Sequence, residues 1–135
     1  MTTMSESNNL AAELSHLEDG STWMADAGIL TIMMFDKGYT MGKDNTLIEF
    51  MDDPEKVEFF KDYYKTMARI AVNKGFGIIL ETTVTRKASQ SRANNILNLT
   101  TEKWKDLIKK SLDMMEEIKN NILDEAQATG KMYCT

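Results

Sequence analysis

Apolar residues recur every third or fourth position in two long stretches of this chain, and in two shorter stretches they run on without interruption. The first periodic stretch follows Asp53-Pro54, where Val57, Phe60, Tyr64, Met67 and Ala71 share one side of a helical wheel. Asp53 can accept hydrogen bonds from the free amides of the first turn, Pro54 costs nothing at the first helical position, and Gly75 is placed to end the helix. The second periodic stretch is longer. Thr100 or Thr101 caps it, Trp104, Ile108, Met115, Ile118 and Ile122 form its stripe, Ser111 fills the gap, and Gly130 ends it.

The uninterrupted runs are "ILTIMMF" (29–35) and "GIIL" (77–80). The first, stopped by "DKG", suits a buried strand or a short buried helix, and periodicity does not separate the two. The second directly follows a helix and leads into "ETTV". Its lack of alternation is the pattern of a strand covered on both faces in a parallel sheet. The segment "YTMGKDNTLIEFM" between these elements reads as a loop with a short irregular element, and residues 1–15 as a flexible polar start. The predicted order is strand-like, helix, strand, polar loop, helix. That is one and a half to two βα units within 16–135, an α/β fold class with two long amphipathic helices.

Composition narrows the function classes. The 135 residues carry 16 basic and 21 acidic side chains, a net charge of −5. That balance argues against non-specific nucleic-acid binding, which needs dense positive charge, and against a basic helix lying on a membrane. The locally basic "KWKDLIKK" (103–110) reads as the solvated face of its helix. Cys134 is the only cysteine and His16 the only histidine. No internal disulfide can form, which points to a reducing cytoplasmic compartment, and zinc coordination by this chain alone is disfavoured. No secretory leader is evident and no apolar run is long enough to span a bilayer. The adjacent methionines Met33-Met34 and Met114-Met115 read as core packing.

The richest chemistry lies in "ETTVTRKAS" (81–89). In α/β proteins ligands bind at the carboxyl ends of strands. There, threonine hydroxyls could hydrogen-bond a substrate, Glu81 could hold an ammonium group, and Arg86 could clamp a carboxylate with two parallel bonds. Such a set suits an amino acid or another small zwitterion. The structural alternative is that the hydroxyls cap a helix and that Glu81 and Arg86 form a surface pair.

Five segments, in order and spacing, resemble the homocysteine S-methyltransferase family over about residues 30 to 119. "LTIMMFDKG" resembles the family's "ETTLIFHEG"-type segment, with Thr31, Phe35 and Gly38 in step. "DDPE" and the pair Tyr63-Tyr64 match the following helix. "GIILETTVTRKAS" is similar to "GFVLETPTWRAS", and from its right-hand end to "TTNTYQAS". "ILNLT" parallels the "LGYS"-type turn. One residue is inserted before Ala88, and Arg86 or Thr85 stands where the motif carries an aromatic side chain.

The resemblance implies the N-terminal part of a (β/α)8 TIM-barrel methyltransferase that transfers a methyl group to homocysteine and yields methionine. It implies that Glu81, Thr82, Thr83 and Thr85 bind the substrate's amino-acid end. Asp19, in "DGSTWMADAG", would correspond to the aspartate of the family's "DGGMGT"-like turn. Complete members use zinc held by a cysteine and a cysteine pair in their later part. This chain has no such pair, so it is expected to bind no cofactor itself and not to catalyse alone. A barrel of this kind takes about 250 residues, so a partner chain completing it, or self-association, is the corresponding expectation. A non-enzymatic helical interaction protein, associating through the stripes Val57–Ala71 and Trp104–Ile122, is the alternative reading.

Overall fold

A computed structural model describes residues 20–25, 28–40, 46–82 and 89–128. Strand β1 (Trp23–Ala25) is followed by a short helix α1 (Ile29–Thr31) that widens into a π-helical turn, Ile32–Asp36. A 3-10 turn (Ile48–Asp52) leads into helix α2 (Pro54–Asn73). Strand β2 (Gly77–Ile79), short helix α3 (Gln90–Asn95) and long helix α4 (Thr101–Ala128) complete the order. The two strands pair in parallel, Trp23 opposite Gly77 and Ala25 opposite Ile79.

Helix α2 forms where its local signals put it. The Asp53 carboxylate accepts from the amides of Glu55 at 3.1 Å and Lys56 at 3.4 Å. At the other end Gly75 adopts φ +72, and the amides of Gly75 and Phe76 return to the carbonyls of Val72 and Ala71. That left-handed turn favours glycine and satisfies the last free carbonyls of the helix. Phe60, Tyr64, Ala68 and Ala71 are its buried line. Helix α4 starts at Thr100, whose hydroxyl accepts from the Lys103 amide at 3.1 Å. Its buried line is Leu107, Ser111, Met114, Ile118 and Ile122, which keeps the predicted Ser111, Ile118 and Ile122 and takes Leu107 and Met114 in place of their neighbours Ile108 and Met115.

These two lines face each other, with the 3-10 turn closing one end through Ile48, Phe50 and Met51. Met33 is fully buried in the same core, Met114 nearly so, and Met34 and Met115 half-buried. The helices run in the same direction. Arg69 grips Glu125, 56 residues further on, and Lys61–Glu117 keeps that offset. An antiparallel pair would instead bring later residues of one helix to earlier residues of the other.

Several expectations are corrected. The structure is predominantly helical, and its only sheet among the described residues has two strands of three residues. A partial (β/α)8 TIM-barrel-like arrangement of an α/β fold is therefore not what the chain forms. Of the two readings open for "ILTIMMF", the structure takes the helix, so the strand-like start of the predicted order falls away; Phe35 at its end is 77% exposed. β2 is shorter than "GIILETTV", is an edge rather than an inner strand, and leaves Ile79 53% exposed. A strand run without polar alternation acquires cover on both faces only when other elements supply it. Here α2 packs against β2, and no further strand among the described residues pairs with it.

Candidate functional site

The parallel pairing orients both strands the same way, so Glu81 and Thr82 follow the carboxyl end of β2. Glu81 is exposed and Thr82 half-buried, and both already interact with neighbouring groups. Asp19, Thr83, Thr85 and Arg86 lie outside the described residues, as do His16 and Cys134. Ser89, at the start of α3, is exposed and makes no side-chain capping bond. Beyond it, the Gln90 and Asn94 side-chain amides both donate to the Thr101 hydroxyl at 3.3 Å, which closes the α3–α4 turn.

The chemistry of the donor set does not fit the zinc of the resembling family. One cysteine and one histidine fall short of three or four N/S ligands, and no group of three His, Cys, Asp or Glu among the described residues could hold a metal ion.

Charged groups that pattern reading did not reveal gather where the 3-10 turn meets the two helices. Asp52 receives Lys103, and Lys110 at 2.6 Å; Lys110 also pairs with Asp106 at 3.0 Å. Hydrogen bonds from Lys103 and then Lys110 hold the Asp52 carboxyl below its usual range. Nearby, the Lys56 ammonium sits 4.4 Å from the Phe50 ring centre and 5.2 Å from that of Tyr39, with the Asp53 carboxylate at 2.7 Å. The Tyr39 hydroxyl donates to Glu55 at 3.2 Å. This clamp ties the segment around Tyr39 to the first turn of α2.

An open cleft of about 220 Å³ lies between α2 and α4, floored by Met51, Val57 and Met114 and rimmed by Lys61, Lys110, Asp113 and Glu117. Each rim charge is already paired within the chain: Lys61 with Glu117 at 2.9 Å, Lys110 with Asp52 and Asp106, and Asp113 with Lys109. Of these pairs Lys61–Glu117 bridges the two helices and Lys110–Asp52 ties α4 to the 3-10 turn, while the others lie within α4.

Asp52 makes a pH-dependent contribution whose sign follows from its lowered pKa. The stabilisation is fully present above the unfolded carboxyl value of about 3.9 and is lost as pH falls through the lower folded value. Asp52→Asn should therefore lower the urea midpoint at pH 7, and the gap to the parent chain should close on acidification below about pH 4. With 39% of the side chain exposed, solvent screening keeps the gap to within about 1 kcal/mol. A gap that persists unchanged in acid would show that the carboxylate is not what the lysines stabilise.

Compared with known proteins, the chain matches no family model, no curated protein and no solved structure.

Proposed function

We propose that this chain is the homocysteine-binding segment of an S-methyltransferase-type protein, working in the cytoplasm and not catalytic by itself. It binds homocysteine or a similar small amino acid through Glu81, Thr82, Thr83 and Thr85, with Asp19 as a further contact. The carboxylate of Glu81 holds the substrate ammonium, and the threonine hydroxyls bond its carboxylate end. The observation that carries the reading is the parallel β1–β2 pair, because Glu81 and Thr82 stand beyond the carboxyl end of β2, after one intervening residue. Loops that leave the end of a regular element commonly carry binding side chains. The five segments that resemble the methyltransferase family support the same assignment, and none of it requires a closed barrel. With a single cysteine the chain lacks the thiolates that would bind zinc and activate the substrate thiol, so binding rather than methyl transfer is its part.

The test is a titration with L-homocysteine followed in amide NMR spectra. Saturable shifts at Glu81 and Thr82 are expected in the range of about 1 mM, near the weak end of specific recognition. Glu81→Gln should reduce the affinity by about tenfold, the loss of one charge-assisted hydrogen bond. Spectra unmoved by millimolar homocysteine, or an affinity indifferent to Glu81→Gln, would end this reading.

A further inference from the structure

Helix α4 carries more apolar surface than its contact with α2 covers. Leu112 is 52% exposed, while Ile108 and Met115, four residues before it and three after, are only half-buried. These three residues follow the four–three spacing of a coiled-coil seam. They lie about a quarter turn from the buried line Leu107–Ser111–Met114. Immediately after Ile108 and Met115 come Lys109 and Glu116, both exposed and of opposite sign. In heptad terms they occupy the same flanking position, one turn of the pattern apart.

That arrangement is self-complementary in one orientation. When two copies of α4 pack antiparallel on this seam, equivalent flanking positions face each other. Lys109 of each copy then meets Glu116 of the other, twice by symmetry. A parallel pairing would instead set Glu116 against the buried Ser111 or Ile118 positions and gain no charge pair. We propose that the outer seam of α4 is the interface at which a second copy of this chain docks, antiparallel. Leu112 packs on Met115 of the second copy, and reciprocal Lys109–Glu116 pairs close the flank. Lys109 bonds Asp113 within the helix, but the two side chains are 73% and 59% exposed. Such a pair is worth little and holds the lysine only loosely. The interface is small, so the association is weak and concentration-dependent. It does not involve Glu81 or Thr82, so it stands or falls separately from amino-acid binding.

Sedimentation equilibrium of the full chain between about 10 and 500 μM spans the range for so small an interface. The average mass should rise toward twice the chain mass. Leu112→Glu should weaken association by at least about tenfold, whereas Ile70→Glu and Ile79→Glu, at two of the other exposed apolar positions, should leave it in place. Lys109→Glu should weaken it, and adding Glu116→Lys should restore it to within about threefold, because the double exchange recreates both cross-pairs. Circular dichroism confirms that each variant keeps its helices. A single-chain mass at every concentration overturns the proposal. So does a dimer indifferent to Leu112→Glu, or a double exchange no better than Lys109→Glu alone.

Discussion

Replacing Phe60 with alanine is expected to cost about 3–5 kcal/mol, a large share of the roughly 5–15 kcal/mol that holds a domain of this size together. Phe60 is fully buried. Its ring stacks on Phe50 of the 3-10 turn, with centres 6.5 Å apart and planes 22° from parallel, and it meets the neighbouring Phe59 at a tilt. It therefore joins the turn to α2 at the point where α4 closes over both. Truncation removes the aromatic contact between the turn and α2 and leaves a cavity in the shared core that the packed elements cannot fill without moving. Urea denaturation followed by circular dichroism measures the loss. Ile70→Ala, on the same helix but 46% exposed, is the control and should change stability by less than about 0.5 kcal/mol. If both variants behaved alike, the core would not be where the aromatic rings meet.

The second large effect is expected at Gly77. A methyl group there would lie 2.5 Å from two carbons of the Trp23 ring and 2.7 Å from a third, inside any permitted contact. Swinging the ring aside would give up the bond that Trp23 Nε1 donates to the Ser21 hydroxyl at 2.8 Å. The ladder it lies across is only three residues long. Gly77→Ala should therefore cost about 1–3 kcal/mol through overpacking, concentrated in the sheet. Amide hydrogen exchange of residues 77–79 should quicken more than that of α2. Adding Trp23→Ala should recover part of the protection, since it removes the obstacle. Unchanged exchange in Gly77→Ala would mean that the indole does not cover that position.

Helix α2 was legible in the sequence because everything that defines it is local. The Asp53-Pro54 start, the three–four stripe and Gly75 lie within or beside the element they bound. The rotation of α4 was harder to read. Leu107-Ile108 and Met114-Met115 are adjacent apolar pairs, so either member could line the core, and contact with α2 and the 3-10 turn decides between them. The strands were the least legible. β1 is three residues of "WMA" with no pattern of its own, defined only by its pairing with a partner more than fifty positions away. The extent of β2 depended on cover that apolar composition cannot guarantee. At the site, the position of Glu81 and Thr82 after a strand could be anticipated from "GIILETT". The meeting of Asp52 with Lys103 and Lys110 could not, because Lys110 stands 58 residues from Asp52 in the chain. The Lys56 clamp on Tyr39 spans less of the chain, with Tyr39 and Glu55 16 residues apart, but it too is set by packing and not by a local pattern.

The shared direction of α2 and α4 bears on how fast the molecule can assemble. Two helices joined as a hairpin zip together from their connecting loop, each new contact close in sequence to the last. Here every contact between them spans a loop on the order of the 56 residues that separate Arg69 from Glu125. The entropy of closing that loop must be met before any contact between them rewards it. Despite its helical content, the chain should refold more slowly than an antiparallel bundle of equal length, at the pace of mixed topologies in which distant segments must find one another.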